Sequence, residues 1–204
     1  MSDTHRSPAI AVWEFDSIAH GILAADHIAK GAPIAALLTG TTHPGKYVVL
    51  AAGDTASVDV AREIVSGADV TPFDSRFMPD IAREVADAVT EGAFPIVEEA
   101  GEALGVVETS SVSSGIDAAD AAVKAASVTL AGIRLADGIG GKAYLVVEGV
   151  VGEVEAAVEA AVERAEPMLV ASVVIPQLAT DLRADLAASA RLRDRVRQHG
   201  RSTA

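Results

Sequence analysis

Short β-rich runs alternate with longer stretches of helical period along this chain. AIAVWEF (9–15) reads as a strand. Asp16 and Ser17 follow it and are good N-cap types. Ile18, Ile22, Ala25 and Ala29 then form one apolar stripe at helical spacing, in a helix ending near Gly31. A strand over 34–39, a turn and a second strand, KYVVLAAG (46–53), come next, followed by a helical pattern in TASVDVAREIVSGA (55–68). DVTPFDSRFM (69–78) supplies a closing strand despite Pro72, and DIAREVADAVTEG (80–92) predicts an additional helix packing on the segment after it.

The second half repeats the first. Residues 12–32 lie over 106–126 at a constant offset of 94, so that Glu14, Gly21, Asp26 and Lys30 recur as Glu108, Gly115, Asp120 and Lys124. Further on the offset is 96: Gly45-Lys46 matches Gly141-Lys142, and Ala61 matches Ala157. Two residues are therefore inserted in the second copy between Val128 and Gly141, just before or within a loop, where length varies most easily. ALGVVET (103–109), Ser110-Ser111 as caps, a strand over 128–135, KAYLVVEG (142–149), GEVEAAVEAAVERA (152–165) and MLVASVVI (168–175) complete a β-α-β-β-α-β order. The fold class is α+β, with two tandem ferredoxin-like domains over 8–94 and 95–182 and a basic tail over 183–204. The join near 92–103, GAFPIVEEAGEA, has the Gly, Pro and acidic residues of an exposed linker.

Composition narrows the function. Half the residues are apolar, mostly Ala and Val, so part of the apolar surface is free for burial between subunits. Cysteine is absent, which excludes disulfides, thiolate metal sites and cysteine-bound iron–sulfur clusters. A net charge of −13 argues against general nucleic-acid binding. No apolar run approaches membrane-spanning length, and MSDTHRSPAI lacks a signal-peptide pattern, so a cytoplasmic location is expected. RLRDRVRQHGRSTA, with five Arg against one Asp, reads either as a solvated tail or as a docking segment for an acidic partner.

The run DGIGGK (137–142) invites a phosphate-loop reading. A P-loop needs Ser or Thr after its lysine and must open a helix. Here Lys142 precedes Ala143 and a β-run, and the twin loop TTHPGK has one glycine and a proline. An ordinary hairpin with glycines at positive φ fits the local sequence.

GVVETSSVSSGIDAADAAVKAA, GIGGKAYLVVEGVVGEVEAAVEAA and the closing strand ending in IP resemble the shell-protein domain of bacterial microcompartments. The resemblance is closest over 103–178 and extends over 9–67. Two copies in the unpermuted element order resemble the tandem shell proteins. The resemblance implies a homotrimer forming a pseudohexameric tile, packed edge to edge with neighbouring shell proteins around cargo enzymes. It places the loop between the middle strands at a pore for small solutes. His43, Pro44 and Gly45 would line that pore from the first domain, and Ile139, Gly140 and Gly141 from the second. His43 could equally be an exposed turn histidine. The resemblance puts Lys30 and Lys124 at the tile edge, although each also suits a helix C-terminus electrostatically. The Arg that the family often carries after the last strand is replaced by Gln177.

Other candidates are weaker. Glu14 and Glu108 are repeat-related and read as strand-end structural groups, not as an acid/base pair. His20 and His27 could share a helix face but lack a third metal ligand. Trp13 reads as core or interface. No catalytic set, metal or cofactor is expected. A ligand-binding regulatory module and an enzyme using Lys142 are the competing functions.

Overall fold

The computed structural model describes residues 8–91 and 102–179. The linker, the domain boundary at 94/95 and the basic tail lie outside the described residues. The first domain runs β1 (Ala9–Phe15), α1 (Ile18–Gly31), β2 (Ala36–Thr42), β3 (Lys46–Gly53), α2 (Thr55–Gly67), β4 (Asp74–Met78) and α3 (Arg83–Glu91). The second runs β5 (Ala103–Thr109), α4 (Val112–Ala125), β6 (Thr129–Leu135), β7 (Ala143–Gly149), α5 (Val151–Ala165) and β8 (Leu169–Ile175). Each domain has one antiparallel four-stranded sheet, ordered β2-β3-β1-β4 and β6-β7-β5-β8. This is the order expected of a ferredoxin-like split arrangement.

The helix starts follow their cap residues. Ser17 accepts from the His20 amide at 3.3 Å, Asp54 from Ser57 at 2.9 Å and Ser111 from Ser114 at 3.2 Å. Strand alternation sorts the core. Ala9, Ala11, Trp13 and Phe15 face α1 and α2, meeting Ala24, Ile28, Val58 and Ala61. Ile10 and Val12 point to the opposite face, where Leu50 and Met78 join Ile81, Val85, Val112 and Ile116 in a core continuous with the second domain. Trp13 is thus a core residue. A third, small cluster of Leu104, Ala131 and Val146 lies with Val106, Tyr144 and Ile175 beside it.

The structure refines three of the expected elements. The stripe of Ile18, Ile22, Ala25 and Ala29 lies on α1, but of the four only Ala25 is buried. Gly21, Ala24, Ala25 and Ile28 are buried, while Ile18, Ile22 and Ala29 are exposed. Periodicity finds an apolar face but not the partner that covers it. The additional helix α3 packs on β6 and α4 of the second domain. Strand β2 starts and ends later than expected, at Ala36 and Thr42. The two inserted residues lie in the loop itself: 43–45 separate the paired Thr42 and Lys46, whereas 137–141 separate Ala136 and Lys142, whose backbones bond at 2.9 Å.

The repeat-related helices α1 and α4 differ in burial. Every residue of α4 from Val112 to Asp120 is buried, because α4 lies between its own sheet and strands β1 and β4 of the first domain. Only four residues of α1 are buried.

Candidate functional site

The two loops that resemble pore loops meet within one chain. The β2–β3 turn carries Gly45 at φ 121°, and its amide bonds to the Thr42 carbonyl at 2.9 Å. The β6–β7 loop needs φ of 75°, 69° and 75° at Gly138, Gly140 and Gly141, values that side chains rarely adopt. Gly141 is buried against the first-domain loop: a Cβ there would overlap the His43 carbonyl oxygen and touch Pro44. Gly140 faces open space, and His43, Pro44, Gly45 and Gly140 are exposed, with Ile139 half-buried. The two loops thus adjoin through Gly141 and His43.

Behind each loop a lysine meets the glutamate that ends the first strand of its domain. Lys142 Nζ lies 2.7 Å from Glu108 Oε1 in a partly exposed pair. Lys46 Nζ lies 3.6 Å from Glu14 Oε2, donates to the Ser110 carbonyl at 3.4 Å and sits 4.0 Å above the Phe73 ring. Lys142 thus holds a strand-end carboxylate, and the strand after it leaves no helix N-terminus for a phosphate.

Glu14 is fully buried at the domain seam. It accepts from the Ser113 amide at 2.9 Å at the start of α4, while its Oε2 has no hydrogen-bond partner. Burial pushes its carboxyl above the ordinary 4.5, although the Ser113 amide and Lys46 oppose the shift. Its role is structural: the carboxylate faces the N-terminal amides of a helix from the other domain.

The seam has a second hub that sequence reasoning missed. Asp74 Oδ2 accepts from the hydroxyls of Ser111, Ser113 and Ser114 at 2.5, 2.6 and 2.7 Å. Arg76 donates to Ser114 Oγ at 2.8 Å and to the Glu166 carbonyl at 3.1 Å. Burial alone would raise the Asp74 carboxyl, but the three hydroxyls and Arg76 outweigh it and hold the group below the ordinary 3.8. Asp117, buried between Arg164 at 3.1 Å and Arg76 at 3.8 Å, is shifted up because burial prevails over both cations. The available signal was the serine run SSVSS, which is richer than its twin DSIAH.

Lys124 lies beside Asp120 at 2.7 Å and donates to the Asp80 carbonyl across the seam. Lys30 is exposed and pairs with Asp26 at 2.6 Å. On α1, His20 is exposed and His27 half-buried; among the described residues no three acidic or imidazole groups gather as a metal site would require. No described helix is long and apolar enough to cross a membrane.

The BMC domain matches this chain twice, over residues 9–71 and 103–178. The chain belongs to the bacterial microcompartment shell-protein family. The bacterial microcompartment shell protein PduT of Citrobacter freundii is 40% identical over 154 residues, covering 74% of this chain and 81% of that protein. A crystal structure of a microcompartments protein from Desulfitobacterium hafniense superposes with a TM-score of 0.74 at 37% identity, covering 88% of this chain and 99% of the other. A fused, permuted hexameric shell protein from the RMM microcompartment shares the fold, with a TM-score of 0.56 at 22% identity over 80% and 84% of the two chains. This BMC chain is a structural shell component, not an enzyme. Shell proteins of this family assemble into oligomers with other shell proteins.

Proposed function

We propose that this shell protein closes as a homotrimer into a pseudohexameric tile whose central pore passes small solutes. The contact of Gly141 with His43 carries the reading, because it brings one loop from each domain to a common rim. Around a threefold axis, three copies of His43-Pro44-Gly45 alternate with three of Ile139-Gly140-Gly141. Glycine brings backbone amides to the rim, which favours small polar or anionic solutes. His43 adds a ring of three titratable groups. The resemblance puts Lys30 and Lys124 toward the tile edge; Lys124 is engaged at the internal seam, so Lys30 is the one open to a neighbouring chain, and Gln177 weakens docking at the turn that often holds Arg. The tile encloses cargo enzymes in a shell within the cytoplasm.

Native mass spectrometry tests the trimer, and electron micrographs of concentrated protein test its packing into sheets or tubes. A stable monomer with no assembly overturns the reading. A ligand-binding module would instead take up a stoichiometric micromolar metabolite in calorimetry.

A further inference from the structure

The interface inside the chain is a template for the one made with a neighbour, because the two domains are copies. Helix α4 is covered by the first domain, and its residues Val112 and Ile116 are 3% and 0% exposed. Their twins on α1, Ile18 and Ile22, are 39% and 52% exposed, and Leu23 is 41% exposed. In the second domain β8 is the twin of β4, and its Val173 is 48% exposed. Among the described residues these faces are apolar and uncovered, one on each domain.

Strand register fixes which residues correspond. Val12 and Glu14 pair with Arg76 and Asp74, while Val106 and Glu108 pair with Val173 and Ala171. Asp74 and Arg76 are thus matched by Ala171 and Val173. Asp117 is matched by Leu23 at the offset of 94, and Arg164 by Ala68 at the offset of 96. The four charged residues of the Asp74–Arg76–Asp117–Arg164 cluster at the internal seam all have apolar twins. Ser113, which donates to Asp74, has Ala19 as its twin. Ser114 has His20 as its twin, while Ser111 keeps a serine, Ser17, which caps α1.

A second feature is kept in both copies. Asp120 accepts from the Ala82 amide at 2.7 Å, and Lys124 donates to the Asp80 carbonyl. Asp26 and Lys30 are the twins of the first pair and are exposed. Continuing the β4/β8 register by 97 residues, PDIA (79–82) lies over PQLA (176–179), so Ala179 and Gln177 are the twins of Ala82 and Asp80.

We propose that α1 of one chain seats on β8 of a second copy of this chain. Leu23 meets Val173, and Asp26 and Lys30 take the Ala179 amide and the Gln177 carbonyl. This rests on the trimeric-tile reading and specifies its seam. The ring then has two kinds of seam: within each chain the apolar core is joined by the Asp74–Arg76–Asp117–Arg164 cluster, and between chains apolar side chains replace that cluster. The matching face on β4, with Asp74 and Arg76, is already covered by α4 of its own chain. Only the apolar β8 face is left for α1 of a neighbour, so the domains alternate and the ring closes on whole chains.

Leu23→Asp, and Leu23→Asp combined with Val173→Arg, test the seam by native mass spectrometry and sedimentation across a dilution series. Both positions are exposed in the single chain, so circular dichroism should match wild type. The single variant should weaken trimer association by about tenfold or more, by placing an unpaired charge in an apolar contact. The double variant should recover association, now weakened by salt, because it recreates the Asp–Arg pairing of the internal seam. A wild-type monomer overturns the tile reading itself. A wild-type trimer matched by an equally tight Leu23→Asp trimer overturns the seam and leaves the tile standing. Failure of Val173→Arg to rescue overturns the pairing of these two residues.

Discussion

Replacing Asp74 by Ala should be among the most damaging single changes in the chain. Its Oδ2 takes three serine hydroxyls between 2.5 and 2.7 Å, and its side chain is only 8% exposed. Each charge-assisted bond contributes about 1.5–3 kcal/mol alone, but bonds to one oxygen are not additive. Arg76 keeps Ser114 and the Glu166 carbonyl, so part of the network survives. Removing one member of a buried, charge-centred set costs about 3–5 kcal/mol. For a chain of this size that lowers the Tm by about 6–20 °C. Asp74→Asn keeps an acceptor without the charge and should lose about half as much. Thermal unfolding followed by circular dichroism, at one protein concentration because association also shifts Tm, measures the difference. The carboxyl is held below 3.8, so its contribution is present above that pH and is lost as pH falls through the lowered folded value. The curves of wild type and Asp74→Ala should therefore converge at acid pH. A Tm at pH 7 within about 2 °C of wild type would refute the hub.

Glu14 should behave in the opposite sense. Its folded carboxyl lies above 4.5, so the folded state binds the extra proton, and stability falls as pH rises from 4.5 through the raised value. Glu14→Gln should flatten that fall in urea midpoints measured across the same range; an unchanged slope rejects the assignment. Gly141→Ala should destabilise by about 2–4 kcal/mol, since a positive-φ penalty of about 1–2 kcal/mol adds to overlap with the His43 carbonyl. Gly140→Ala, with the same strain but open space around it, should cost only about 1–2 kcal/mol in the same denaturation assay. His43→Ala should alter solute passage through assembled shells while native mass spectrometry still finds the trimer. Loss of the trimer would make the turn structural.

Much of the fold was legible because it rests on local rules. Ser17 and Ser111 stop their strands and cap their helices, and the alternation of Ala9 to Phe15 assigns one face to α1 and α2. The change of offset located the insertion near the glycine loop, and register then placed it at 137–141. The contact between His43 and Gly141 was not legible, since nothing local says that the two loops touch. The α1 stripe shows the same limit. Ile18 and Ile22 have the period of a buried face, yet the chain leaves them exposed.

The sequence by itself determined two copies of one β-α-β-β-α-β unit, their caps, their loops and the absence of cysteine chemistry. Those features depend on neighbours in the chain, and a repeat can be read without knowing what it touches. Tertiary structure decided that α4 is covered and α1 is not, that Glu14 reaches the start of a helix 99 residues away, and that Asp74 gathers three serines from the other domain. Burial and electrostatics at the seam depend on which surfaces meet, and two nearly identical copies meet different surroundings within one chain.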